Sequence, residues 1–214
     1  RQVAQYNLPA VLPDTYSRVT SPMTSFTSLL AEVHACTLCE KHLADGVRPV
    51  LQVNPKARVL IVGQAPGRKV HETGLPFNDV SGDRLRDWLG ITREVFYDEE
   101  QIAILPMGFC FPGKGKSGDL PPRLECAPAW RDKLLAYLTN IEVTLLVGTY
   151  AQAYHLAGEH SSLTETVRSW RSYWPTIIPL PHPSPRNNIW LKRNPWFEEE
   201  LIPVLKQRIF KVLK

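Results

Sequence analysis

No apolar run in this 214-residue chain is long enough to cross a bilayer. The opening stretch "RQVAQYNLPAVLPDTYSRVTSP" also lacks the continuous apolar segment of a secretion signal. The expectation is a soluble, cytoplasmic protein acting as a monomer, with no membrane partner. Charge of one sign is not in large excess: a net +4 permits nucleic acid as a partner without demanding it. No internal repeat or low-complexity segment occurs. The chain starts at Arg1, and helical periodicity begins only in "TSFTSLLAEVHAC", just after Met23. Residues 1–22 are therefore expected to be an extension. With 43% hydrophobic residues, 23–214 is expected to form one domain with a sizeable core.

Four short runs rich in Val, Ile and Leu, each bounded by Gly or Pro, read as buried strands: "RVLIVG" (58–63), "IAILPM" (102–107), "VTLLVG" (143–148) and "TIIPLP" (176–181). Helical periodicity lies between and after them, in "SGDRLRDWLG" (81–90), "CAPAWRDKLLAYL" (126–138), "TYAQAYHLAG" (149–158) and the terminal "PWFEEELIPVLKQRIFKVLK". Alternating strands and helices predict a mainly parallel four-stranded sheet covered on both faces, a three-layer α/β/α sandwich. Ligands of such sheets sit at the carboxyl ends of the strands. The informative loops are then "GQAPGRKVHETGLPF" (63–77), "GFCFPGKGKSGDLPPRLEC" (108–126), the turn at Gly148-Thr149-Tyr150, and "HPSPRN" (182–187). Lys114 and Lys116 share the second loop, while Arg186, Lys192 and Arg193 cluster around the last.

Cysteine is scarce: Cys36 and Cys39 in "CTLC", then Cys110 and Cys126 flanking the second loop. In a reducing compartment such a set more often binds metal than forms disulfides. Four thiolates suit tetrahedral zinc or an iron–sulfur cluster, and four unrelated buried thiols remain the plain alternative. A metal here would pin the N-terminal helix and the second loop against the sheet.

"GQAPG", then "GLPF" with Ser81-Gly82 and Leu85 downstream, then "HPS", resemble the uracil-DNA glycosylase superfamily over about residues 29–210. The cysteine pattern resembles its iron–sulfur-containing class, family 4, while "HPSPRN" is similar to the single-strand-selective monofunctional class. The resemblance implies a [4Fe-4S] cluster on Cys36, Cys39, Cys110 and Cys126, with zinc as the alternative, and DNA as the partner. It also implies removal of uracil or another deaminated base from DNA, a step of base excision repair. Gly63 and Ala65 would let the backbone approach the flipped nucleotide closely. Phe77 would stack on its base, and Asn78 would help to read it. His182 would donate a hydrogen bond to the departing base anion. Ser184, Arg186, Asn187, Lys114 and Lys116 would engage the DNA backbone. Ser184 has no partners for nucleophilic catalysis, and none of the lysines in these loops is a candidate nucleophile, which argues against lyase activity.

Two positions depart from the family 4 pattern. Gln64 stands where that class has a glutamate; an amide cannot act as a general base, but its carbonyl oxygen can orient water. Pro106 stands where an asparagine reads the uracil edge. Met107 or Gly108 backbone is expected to take over base reading; His71 and Glu72 are substitute candidates to activate water, each read first as surface. Two other readings stay open: a metal-stapled DNA-binding protein without chemistry, and an enzyme acting on free nucleosides or nucleotides.

Overall fold

The computed structural model describes residues 25–116, 118–156 and 162–214. The extension expected over 1–22 lies outside the described residues, as does the end of the helix expected over 149–158. In chain order the elements are α1 (Phe26–His34), β1 (Val59–Val62), α2 (Arg68–Thr73), α3 (Val80–Leu89), α4 (Arg93–Phe96), β2 (Ile102–Ile104), β3 (Lys114–Gly115), β4 (Gly118–Asp119) and α5 (Cys126–Leu135). There follow β5 (Val143–Val147), α6 (Thr149–His155), α7 (Leu163–Arg168), β6 (Ile177–Leu180), α8 (Asn188–Arg193) and α9 (Ile202–Val212). No helix among the described residues is long and apolar enough to cross a membrane.

The four apolar runs pair in parallel in the order β2-β1-β5-β6. Their side chains alternate between two cores, as a period of two requires. Val59 and Ile61 face one layer with Leu85 and Trp88 of α3 and Leu205 and Ile209 of α9. Leu60 and Val62 face the other with Leu29 and Val33 of α1, Leu134 of α5 and Ala151 of α6. Both faces are thus dry, which is why each strand reads as an unbroken apolar run rather than an alternating one. Full burial of one such side chain contributes roughly 1.5–3 kcal/mol. The three-layer sandwich expected from the sequence is the observed architecture.

Local chemistry ends the elements. The Asp79 side chain accepts from the Gly82 N–H at 2.9 Å and starts α3; Gly90, at φ 67, stops it. Pro179 sits inside β6, an edge strand, where a missing N–H need not break a ladder. Two features escaped sequence reading. Gln52 forms an antiparallel bridge to Ile104 on the open edge of β2, and its buried amide donates to the Phe96 and Ile102 carbonyls. The second loop contains the β3–β4 hairpin, with Lys114 opposite Asp119.

Candidate active site

The sheet order places β1 between strands reached by connections running in opposite directions, and the loops at that switch open a crevice at the strand ends. A cavity of about 460 Å³ lies there. Its walls come from the turn after β1 (63–67), residues 76–81, the hairpin residues Gly118 and Asp119, and the loop after β6. Gly63, Gln64, Ala65, Phe77, His182, Ser184, Arg186 and Asn187 all line it, as expected for one rim site.

Phe77 holds the left-handed conformation at φ 51, which is costly for an aromatic residue and survives only where its surroundings dictate it. Those surroundings are visible. A Cβ at residue 82 would overlap the Phe77 carbonyl oxygen, so Gly82 is what lets this turn lie on the start of α3. The Tyr97 hydroxyl donates to the Pro76 carbonyl at 2.9 Å, and the buried Arg86 guanidinium reaches the Phe77 carbonyl at 3.5 Å. The Phe77 ring packs edge-on against Phe96, with its tip beside Gly63, where a Cβ would come within 3.3 Å.

His182 follows β6 directly. The Ser184 backbone N–H donates to its Nδ1 at 3.2 Å, and the Asn187 side-chain amide donates to its carbonyl at 2.7 Å. Because Nδ1 accepts, a neutral imidazole must carry its proton on Nε2. Burial holds the imidazole below its ordinary pKa, against the opposing pull of the Asp79 and Asp119 carboxylates. The Ser184 hydroxyl accepts from the Arg186 N–H at 3.2 Å, opening a short 3-10 turn with Pro185 in its first position. Arg84 of α3 donates to the Ser184 carbonyl at 3.3 Å and ties this loop to the helix. The prolines preset φ, so the loop forms with little entropy left to lose.

Gln64 donates from Nε2 to the Leu120 carbonyl at 2.9 Å, which docks the hairpin over the first turn. Several expectations need correction. Asn78 does not line the cavity; its Oδ1 accepts from Arg93 at 2.8 Å, because the left-handed turn at Phe77 carries the next residue away. The Met107 and Gly108 N–H groups pair with the Gly63 and Gln64 carbonyls, so neither donor is left to read a base. His71 packs beside Phe111 and contacts the Asp45 carbonyl at 3.0 Å, outside the cavity. Glu72 is exposed on α2, also outside it. Lys114 and Lys116, expected at the DNA backbone, are exposed on the hairpin. Sequence reading missed Asp79 and Asp119, the two carboxylates that line the cavity with His182. It also missed the supporting Arg84, Arg86 and Tyr97. Pro106, with Ile104 and Val50, leaves part of the wall apolar, and the Pro106 carbonyl accepts from the buried Arg131 at 3.3 Å.

On the opposite side of the second loop, Cys36, Cys39, Cys110 and Cys126 line one small cavity. The Trp130 indole N–H donates to Cys36 Sγ at 3.2 Å, and the Phe109 N–H donates to Cys126 Sγ at 3.4 Å. N–H groups aimed at sulfur are the outer-shell partners expected of metal thiolates. Burial pushes the Cys110 thiol up to about 11 and Cys126 up to about 12, so a metal taken up there would displace protons. Among the described residues no three His, Cys, Asp or Glu side chains converge on a single-ion position.

The parallel α/β/α sandwich thus brings an imidazole and an aromatic ring to one cavity at the strand ends. The model of the uracil DNA glycosylase superfamily matches residues 51–206. The "Type-4 uracil-DNA glycosylase" of Thermotoga maritima is 30% identical over 157 residues, covering 71% of this chain and 78% of that protein. The chain belongs to the uracil DNA glycosylase superfamily.

Proposed function

We propose that this protein is a monofunctional DNA glycosylase that hydrolyses the N-glycosidic bond of uracil or another deaminated base in DNA. The observation that carries this reading is the His182 imidazole, fixed with its proton on Nε2 by the Ser184 N–H in the cavity that Phe77 lines.

A base inside a duplex cannot reach such a cavity, so the nucleotide must be turned out of the stack. Phe77 offers a face for the ring, held by its strained turn. As the bond to C1′ breaks, its electron pair passes to the base. The Nε2–H then donates to the carbonyl oxygen where charge accumulates, worth most in a site that excludes water. A neutral donor suits this role because its tautomer is set before the substrate arrives. Gln64, its amide nitrogen held by Leu120, has Oε1 to accept from and orient a water. Ser184, Arg186 and Asn187 at the cavity edge, with Lys114 and Lys116 on the exposed hairpin, would meet DNA phosphates.

The four cysteines would hold a [4Fe-4S] cluster. All four line one cavity, and zinc on the same four sulfurs is the alternative. Its chemistry would be architectural, tying α1 and α5 to the loop that carries the β3–β4 hairpin.

The test is incubation of enzyme in excess with oligonucleotides containing uracil, hypoxanthine or xanthine, followed by alkaline cleavage at abasic sites. Strand breaks with at least one base are expected, and none with any would overturn the assignment. The apolar wall at Pro106 favours one further reading, a binding protein without chemistry, which predicts salt-dependent DNA binding that survives His182→Ala with no abasic product.

A further inference from the structure

Hydrolysis needs a proton acceptor for the attacking water, and the turn after β1 carries Gln64, an amide, where a base would be useful. Resting on the glycosylase reading above, we propose that Asp119, at the base of the β3–β4 hairpin, is the catalytic carboxylate that takes the proton from the attacking water.

The hairpin is built to hold this residue over the first turn. Gln64 donates to the carbonyl of Leu120, the very next residue, at 2.9 Å. Asp119 Oδ2 lies 3.4 Å from where a Cβ on Gly67 would stand, so the carboxylate rests against the last glycine of "GQAPG". On the other side, a Cβ at Gly118 would meet the end of the Arg186 side chain, so the hairpin and the "HPSPRN" loop lie close together. Asp119 and His182 line one cavity, and the carboxylate's charge acts on the imidazole. The side chain is exposed, at the mouth, where water enters.

Asp79 also lines the cavity and acts on the imidazole, but its Oδ1 is engaged by the Gly82 N–H that starts α3. Glu72 and His71 lie outside the cavity. In the step, the water oxygen bonds to C1′ as the bond from C1′ to the base nitrogen breaks, and the water proton passes to Asp119. The electron pair of the broken bond leaves with the base, hydrogen-bonded by His182 Nε2–H. Products are the base anion, which takes a proton from solvent, an abasic sugar with a hydroxyl on C1′, and a protonated Asp119 that returns its proton to solvent.

The experiment compares wild type, Asp119→Asn, Asp119→Glu and Asp79→Asn, on whichever deaminated base the wild type removes. Single-turnover excision is measured beside binding of an oligonucleotide containing 2′-fluoro-2′-deoxyuridine, whose fluorine disfavours bond cleavage. Asp119→Asn is expected to lose about 10²–10⁴-fold in rate, with analogue affinity within threefold of wild type and an unchanged melting temperature. Asp119→Glu should recover at least tenfold over the amide, and Asp79→Asn should lose less than tenfold. An Asp119→Asn enzyme within fivefold of wild type overturns the proposal while leaving the glycosylase reading intact. So does a loss confined to analogue binding, or a larger loss at Asp79. A wild type inert on every base sinks that reading and this proposal with it.

Discussion

Replacing Ser184 by proline removes one hydrogen atom that the mechanism needs. The Ser184 N–H is the donor to His182 Nδ1, and residue 184 has φ −59 and ψ 144, a conformation proline adopts without strain. Ser184→Ala is the control: it loses the same hydroxyl bond to the Arg186 N–H but keeps the backbone donor. Any phosphate interaction of the hydroxyl cancels between the two. A net hydrogen bond of about 0.5–1.5 kcal/mol corresponds to roughly a 2- to 13-fold slower single-turnover excision in the proline variant than in the alanine variant. Nitrogen NMR on labelled protein gives a second readout that needs no substrate. Wild type and Ser184→Ala should show Nδ1 unprotonated and Nε2 protonated, and Ser184→Pro a mixture. Equal rates and identical spectra in the two variants would refute the claim that this N–H sets the tautomer.

Because burial holds His182 below the ordinary histidine value near 6.5, the neutral donor should persist under mild acid. Protonation requires the Nδ1 lone pair that accepts from Ser184, so the form lost on acidification is the active one; its NMR titration midpoint should fall below 6.5, and a midpoint above it counts against the geometry. Gly82→Ala forces the Phe77 carbonyl away and should cost about 1–3 kcal/mol, read as a melting temperature lower by several degrees and as weaker binding of the 2′-fluoro analogue. Protein purified without oxygen should be brown, with about four irons per chain; Cys126→Ser should lose the colour and melt earlier, whereas a colourless wild type with one zinc would revise the cofactor. Lys114→Ala with Lys116→Ala should flatten the slope of log affinity against log salt by about 0.9 for each phosphate no longer neutralised, with little change in the single-turnover rate at saturation.

What could be read in the chain followed from how locally each feature is encoded. The strands are buried on both faces, so Val59–Val62 and Val143–Val147 stand out as uninterrupted apolar runs. The "GQAPG" and "HPSPRN" turns keep their glycines and prolines within a few residues. The β3–β4 hairpin was invisible because its strands are Lys-Gly and Gly-Asp pairs with no apolar alternation. Asp119 lies 55 positions after Gln64, and nothing local marks an aspartate in a Gly/Lys loop as facing a cavity. Adjacency misled at Asn78: one left-handed residue at Phe77 reverses the path and sends its neighbour to Arg93. His71 and Glu72 leave the rim because "RKVHET" winds into α2.

The bond from Gln64 to the Leu120 carbonyl constrains how this lineage could change. A glutamate at position 64 would set a second acceptor against that carbonyl, two oxygens facing each other with no hydrogen between them. The carboxylate would have to turn away, and the hairpin would lose the bond that docks Gly118 and Asp119 at the rim. Position 64 and the hairpin are therefore coupled through this one bond.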